Sequence, residues 1–454
     1  MKHLQISAVT LALGLAFTAH TALAEVSAAD AAKLGKSLTP MGAEQAANAS
    51  GSIPAWTGGL TTNTPNFKEG GHYEDPFGAD KPLFTIDASN MDKYKDMLSA
   101  GQMAMLKKYS TYKLPVYPTR RTAAFPKKHY EETAANATKV KLAESGNGIV
   151  GTKGGIPFPI PQNGLEAVWN HLVRYKGDTY ATQWSQLPVT REGTYTPVRF
   201  EYEFDIHFGS MTKTDAEKED NKLFNFLQNV TAPARLAGNI LLVHEFADQV
   251  KAPRQAWLYN AGQRRVRLAP NVAYDNPGTA SDGLRTNDDF LMFNGATDRY
   301  NFKLVGKKEM VVPYNAYKIS GNFIKTADLV KPGHFNQDHT RYEIHRTWVV
   351  EATLKENVNH VYSKRVFYID EDSWMIQLAD KYDARGELYR FAEAHGIQMP
   401  NVPMYYPTIE VQYDLNSGRY LVSSVRSDEP KFYERIKRSN SDYTPANLRN
   451  LGTR

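Results

Sequence analysis

The residues able to do chemistry are spread thinly along this 454-residue chain. Two histidine pairings are candidate metal ligands: His244 beside Glu245, and His334 with His339 five positions later in a Gly/Asn-containing stretch. A helical zinc site needs two histidines four apart with a glutamate between them, and neither place has that spacing. Ser281-Asp282-Gly283 lacks the strand–Ser–helix frame of a nucleophile elbow, and the chain has no G-x-S-x-G. The run 151–155, GTKGG, carries glycines and a lysine, but not in the order that cradles phosphates. Asp288-Asp289 and the pair Asp370/Asp372 lie in turn-like segments, where aspartate bonds the local backbone. A hydrolytic carboxylate pair is assembled only in three dimensions, so an envelope hydrolase remains one alternative. No catalytic residue, metal ligand or cofactor is assigned from this reading.

The aromatic residues point elsewhere. There are 26 Tyr, 20 Phe and 6 Trp. Phe200 and Phe204 belong to a strand over 198–208 in which Val198, Phe200, Tyr202, Phe204, Ile206 and Phe208 alternate with Arg199, Glu201, Glu203, Asp205 and His207. That is the two-residue period of a sheet with one apolar face, which a helix, another sheet or a ligand must cover. Phe158 lies in the proline-alternating run IPFPIP, and Trp169 in the amphipathic helix that follows. With Trp257, Trp348 and Trp374 on later strands, these seven residues form the candidate lining of an apolar site.

Further strands must position them. Residues 341–391 read as a β-meander broken at 355–359, 370–373 and 384–386. Residues 254–268 read as a hairpin about an NAGQ turn, 300–312 and 316–319 as strands, and 410–425 as a last hairpin around AsnSerGly. Helices are expected over 87–109, where Ser99 and Gln102 form a capping box, over 127–143 and over 165–175. The spacing of Leu223, Phe226, Leu227 and Val230 predicts a helix over 216–230 that would cover the strand at 198–208. The 275–293 stretch is long enough to be a mobile flap. Residues 25–85 read as an extended arm, and the polar, basic tail from 427 as a loosely held extension.

Composition sets the address. Residues 1–24 have a short basic start, an apolar run at 6–17 and an A-x-A signal ending at Ala24. They read as a secretory signal peptide cleaved after Ala24, which makes the mature chain periplasmic. The run is too short to span a bilayer, which takes about 20 residues. There is no cysteine, so a core alone must stabilise the exported chain. Net charge is +5 with both signs interspersed, unlike the basic patch of a nucleic-acid binder.

Four segments carry a family resemblance: 154–177 (GGIPFPIPQNGLEAVWNHLVRYKG), 254–270 (RQAWLYNAGQRRVRLAP), 308–317 (KEMVVPYNAY) and 365–391 (RVFYIDEDSWMIQLADKYDARGELYRF). They resemble the domain-of-unknown-function 1329 family over nearly all of the mature chain. That family is in turn similar to the lipoprotein-localisation factors LolA and LolB. The resemblance implies an α+β fold: a strongly curved antiparallel sheet, an incomplete barrel, with helices over its concave side and N-terminal helical or extended arms. The expected organisation is a leader (1–24), N-terminal arms and helices (25–163), a LolA/LolB-like β-rich domain (164–425) and a C-terminal extension (426–454). The implied function is a non-enzymatic carrier or chaperone of a hydrophobic small molecule or lipid in envelope transport. The alternative is an adaptor for an RND-type exporter or outer-membrane protein.

Overall fold

The computed structural model describes residues 26–452, so the expected leader and its cleavage point lie outside the described residues. The N-terminal region holds α1 (Ala28–Ala31), β1 (Phe84–Ile86), α2 (Ala100–Lys108), β2 (Leu114–Val116), α3 (Lys127–Asn136), β3 (Lys141–Leu142), β4 (Ile149–Val150) and α4 (Gly164–Val173). A first meander follows as β5 (Tyr180–Val189), β6 (Val198–Ile206), β7 (Lys222–Ala232), β8 (Ile240–Phe246), β9 (Gln255–Asn260) and β10 (Arg265–Leu268). After β11 (Tyr300–Pro313) come α5 (Tyr317–Ser320), α6 (Thr326–Leu329), and the short pair β12 (Val330–Lys331) and β13 (His334–Phe335). The second meander is β14 (Tyr342–Leu354), β15 (Lys364–Asp370), β16 (Ile376–Tyr382), β17 (Leu388–Met399), β18 (Met404–Asp414) and β19 (Tyr420–Val425). Then come β20 (Glu434–Arg435) and α7 (Pro445–Gly452).

The two meanders are one sheet. β19 pairs antiparallel with β5, Tyr420 opposite Val189 and Val422 opposite Leu187, so the end of the second meander meets the start of the first. The path runs from β1 through β2 and β14 to β19, then from β5 to β10, with β11 on the other side of β14 and β20 beside β5. Pairing is antiparallel except for one β2–β14 contact at Val116 and Tyr342. Register shifts at Leu304/Gly306, Tyr368/Ile369, Lys381/Tyr382 and His395/Gly396 mark irregularities of the bulge kind. Bulges bend strands and increase twist, which suits a large curved sheet. The sheet does not close into a barrel: β1 and β10 end the path.

Local chemistry explains the helices that touch it. Ser99 and Gln102 cap α2 reciprocally, as their spacing predicts. The same N-terminus is pinned to the sheet by Asp380 of β16, which accepts bonds from Ser99 Oγ and the Gly101 amide at 2.9 Å and from the Ala100 amide at 3.0 Å. A carboxylate there answers the free amides and positive end of the helix. α4 is buried on nearly every side. Its first residue has to be small, because a Cβ on Gly164 would lie 2.8 Å from the Phe302 and Lys303 carbonyl carbons of β11.

Three sequence expectations change. The 222–232 segment is strand β7, not a helix: Phe226 pairs with Phe204 and with Val243. Its Phe, Leu and Val spacing fits either period over a short run, and sheet burial on both faces decides it. Residues 317–320 form a helical turn, α5, instead of a strand. The C-terminal extension is packed: Phe432, Tyr433, Tyr443 and Leu448 are buried, and α7 lies on β8 to β10. Among the described residues no helix is long and apolar enough to cross a membrane.

Candidate functional site

Across β5 to β7 the sheet's inner face carries a run of packed aromatic rings, which β8 continues with Leu241 and Val243. Trp184 of β5 stacks on Tyr202 of β6, centroids 4.5 Å apart and planes 8° from parallel. Tyr202 meets Phe226 at 5.1 Å, and Phe204 meets Phe226 at 4.8 Å and Tyr180 at 5.2 Å. Each ring comes from the same-face position of its strand, two residues apart, which antiparallel pairing sets side by side.

Among the described residues no helix covers this face. The loop 275–293 does, so the expected helical cover is replaced here by a segment without regular structure beyond one 3-10 turn at Asn287–Asp289. Phe290 is its wedge, 5.7 Å from Phe226 and 6.3 Å from Tyr202 between ring centroids. A cavity of about 20 Å³ remains on one side, against Arg174, Lys176, Tyr180, Trp184, Phe204 and Tyr406. Another of about 40 Å³ remains on the other, against Phe224, Phe226, Leu241, Val243, Arg254 and Arg285. Each holds a few waters at most. The next residues, Leu291 and Met292, have φ of 54° and 69°. Two consecutive non-glycine residues in the left-handed region are strained by about 1–3 kcal/mol each, and the surroundings must hold them there.

What holds them is polar and buried. Beyond Phe367, the inner face of β15 to β18 carries Arg365, Lys381, Arg390, Glu410 and Gln412, each less than a tenth exposed. Asp288 pairs with Arg365 at 2.6 Å and His360 at 2.9 Å. Asp289 pairs with Lys381 at 2.8 Å and accepts the Tyr362 hydroxyl at 2.9 Å. Burial pushes the Asp288 carboxyl up, but Arg365 and His360 outweigh it and hold the group below the usual carboxylate range. Burial pulls the Lys381 ammonium down to about 8, against the opposing pull of Asp289. Arg390 donates to the Gly283 carbonyl at 2.7 Å, and Gln186 to those of Thr279 and Ala280 at 3.0 and 2.9 Å. The loop, read from sequence as a mobile flap, is therefore clamped at its middle and both shoulders.

His171 completes the clamp from α4. Its Nδ1 accepts the Ile376 amide at 3.0 Å, which leaves Nε2 to donate to the Leu291 carbonyl at 3.0 Å and to Phe293 at 3.2 Å. Burial, reinforced by Arg174 and Lys176, pulls its pKa well down, so the ring is neutral. Met292 gives its backbone N–H to Glu410, whose carboxyl burial pushes up to about 7.

The seven sequence candidates divide. Phe204 lines the cavity and Phe200 lies beside Trp184 in the same aromatic face, at 5.3 Å. Phe158 and Trp169 are buried around α4: the Phe158 amide donates to Asn170 at 2.9 Å and the Trp169 indole to the Gly146 carbonyl at 3.1 Å. Trp348 and Trp374 stack at 6.3 Å under the N-terminal arm, where Trp374 donates to the Met41 carbonyl at 2.9 Å. Trp257 belongs to the opposite face, in the cluster of Leu227, Leu242, Tyr443 and Leu448. Sequence reasoning missed Trp184, Phe226, Phe290 and the whole clamp. The signal for the clamp was present as Asp288-Asp289 followed by Phe-Leu-Met-Phe, but nothing local says what that run faces.

The histidine candidates have other partners. His334 donates to its neighbour's carbonyl and meets the Thr111 hydroxyl, and Glu245 pairs with Arg254. The structure does gather His345, Asp370 and Asp372, donor atoms within 4.8 Å of one another. Arg121 already takes both oxygens of Asp372, at 2.7 and 2.9 Å, and supplies the positive charge there.

A large curved antiparallel sheet fed by two meanders, with its inner face plugged by a loop, defines the architectural class. The chain belongs to DUF1329, a family of proteins of unknown function whose model matches residues 85–449. It is 52% identical over its whole length, and the relative's whole length, to the uncharacterized protein PA3922 of Pseudomonas aeruginosa. Among solved structures it is similar to a domain from Vibrio parahaemolyticus described as an outer membrane lipoprotein-sorting protein: 13% identity, 63% of this chain and 98% of that one, TM-score 0.42. A DUF1329 family protein from Desulfovibrio piger gives 17%, 62% and 95%, TM-score 0.41. A LolA superfamily protein from Nitrosomonas europaea gives 12%, 62% and 97%, TM-score 0.36.

Proposed function

We propose that this protein is a non-enzymatic periplasmic carrier of a hydrophobic molecule, a lipid or lipid-like compound, received on the aromatic face of β5 to β8 when the 275–293 loop lifts away. One observation carries the reading. The packed aromatic surface of β5 to β7 is sealed by an irregular loop with two strained residues, where a second layer of regular structure would make a permanent core. In the closed state the face is filled, and a ligand enters only by taking the place of Phe290 and Leu291. Each Å² of apolar surface the ligand then buries returns about 25 cal/mol, so a chain burying several hundred Å² offsets the loss of the loop's apolar contacts.

The test is native mass spectrometry of the mature protein taken from periplasm, with organic extraction of whatever is bound. A stoichiometric adduct of lipid size supports the carrier. A clean apo mass together with a co-purified protein favours an adaptor instead. The adaptor reading rests on the exposed edge of the end strand β10, where Leu268 is 63% exposed on one face while Leu258 of β9 is 39% exposed on the other.

A further inference from the structure

The inner face is two-toned, and so is the loop that covers it. Where the sheet is aromatic the loop offers Phe290 and Leu291; where the sheet is cationic it offers Asp288 and Asp289. The cationic half is unusual in its depth. Arg365 and Lys381 are both fully buried, and among the described residues every carboxylate within ion-pair distance of either is Asp288 or Asp289. Their other neighbours supply no negative charge: Tyr300, Tyr362 and Phe293 lie around Arg365, and Gln412 accepts from Lys381 at 2.6 Å. Arg390 beside them keeps Asp414 at 3.4 Å, outside the loop.

Lifting the loop therefore does more than bare an aromatic surface. It strips two buried cations of their counter-charges, and an uncompensated buried charge is among the most unfavourable features a fold can carry. A neutral apolar ligand replaces Phe290 but leaves that deficit. A ligand with an acidic end removes it. We infer that the ligand is an anionic amphiphile: its carboxylate or phosphate head takes the place of Asp288 and Asp289 on Arg365 and Lys381, and its chain takes the place of Phe290 and Leu291 on the aromatic sheet. The loop is then an internal stand-in for the ligand, with an acidic head and an apolar body in the same order along the groove. This inference rests on the carrier reading and assigns the chemical class of what is carried. Arg174 strengthens it. It lines the cavity beside Phe204, is 5% exposed, and has no carboxylate within 4 Å among the described residues, its opposing charge being the more distant Glu410.

The experiment compares four probes on the full mature chain by isothermal titration: hexadecanoate, hexadecyl phosphate, hexadecanol and inorganic phosphate. A buried hydrogen-bonded charge contact is worth a factor of about 10 to 100 in affinity. At least one of the two acids is expected to bind tighter than the alcohol by that factor, and their order identifies the head. Lys381→Gln is expected to shrink the acid-to-alcohol ratio about tenfold or more, with alcohol binding kept or tightened because the loop loses the Lys381–Asp289 pair; Lys381→Arg is expected to keep the ratio. Because a buried substitution can also unfold the protein, Asp288→Asn with Asp289→Asn serves as the second variant. Loosening the stand-in should tighten all three chain-bearing probes and preserve the acid preference. Equal binding of acid and alcohol overturns the anionic inference and leaves the carrier standing. Binding of none of the three chain-bearing probes overturns the carrier and the inference with it. Inorganic phosphate binding as tightly as hexadecyl phosphate shows a bare anion site and overturns the amphiphile.

Discussion

Asp289→Asn is the sharpest probe of the clamp. The Asp289 carboxylate has no solvent exposure, and it holds Lys381 at 2.8 Å and the Tyr362 hydroxyl at 2.9 Å, with Arg365 at 3.9 Å. All three partners belong to the sheet or its β14–β15 turn, while Asp289 belongs to the loop, so the loss falls on loop closure. Removing one member of a buried ion pair costs about 3–5 kcal/mol, because the surviving charge stays buried without compensation. At about 1.4 kcal/mol per tenfold, the open-loop population rises by roughly two to three and a half orders of magnitude. Hydrogen–deuterium exchange read on peptides spanning 275–293 should show that rise there first, with smaller changes in β17 and β18. Lys381→Met combined with Asp289→Asn replaces both charges and should recover much of the loss, since removing a whole buried pair is far milder than breaking one. Loop protection that is unchanged while the whole molecule is destabilised would refute the reasoning, and so would a double variant as poor as the sum of the singles.

Four further outcomes follow from the same geometry. Phe290→Ala joins the two cavities flanking the ring and should increase binding of a neutral apolar fluorophore several-fold, at a stability cost of about 1–3 kcal/mol by denaturant titration because the ring is only half-buried. Burial pushes Glu410 up to about 7, so the folded chain keeps a proton that the unfolded chain has released; that stability is full below about 4.5 and is lost as pH rises through 7. Buried His129 and His171, pulled down by desolvation, act with the opposite sign below about 6.5, so the readout is the difference between the two chains: the thermal midpoint of the wild type relative to Glu410→Gln should fall as pH rises from 5 to 8. Arg121→Gln leaves Asp372 buried without its guanidinium and frees the Glu44, Gln45 and Pro54 carbonyls, so limited proteolysis should cut the 26–60 arm at least tenfold faster. Gly101→Ala places a Cβ 2.1 Å from the Phe391 ring and should cost about 1–3 kcal/mol by the same titration, although alanine is the better helix former.

Much of the sheet was legible because its strands carry a clean period. Phe200, Tyr202 and Phe204 alternate with charged residues, and the structure puts those three rings on one face. The 341–391 meander appears with its breaks where AspGluAspSer and AspAlaArgGly fall. The failures have a common cause. Lys222 to Gln228 is buried on both faces in the middle of a sheet; Phe224, Phe226 and Val230 keep one parity, but Leu223 and Leu227 fall on the other and Gln228 interrupts the first, so Leu223, Phe226, Leu227 and Val230 also fit a helical stripe. Trp257 was grouped with the site on size alone; strand parity sends it to the outer face, and parity cannot be converted into inside or outside until the partner strands are known. The clamp was unreadable for a different reason. Arg365, Lys381 and Asp289 are distant in the chain, and each alone looks like a solvated charge. Only the pairing of β15 with β16, and the return of the loop over both, shows that the three charges answer one another.

The join between β19 and β5 has a consequence for how the chain acquires its structure. Val189 waits for Tyr420, more than two hundred residues later, so the first meander emerges with one long edge unpaired. Contacts that distant slow folding, because the loop between them must be ordered before they contribute. An open edge is also a template for another chain until its own partner arrives. The sheet becomes a single unit only when its last strands are available, so a chain truncated before residue 420 should keep its hairpins, lack a finished inner face, and aggregate through the bare edge of β5.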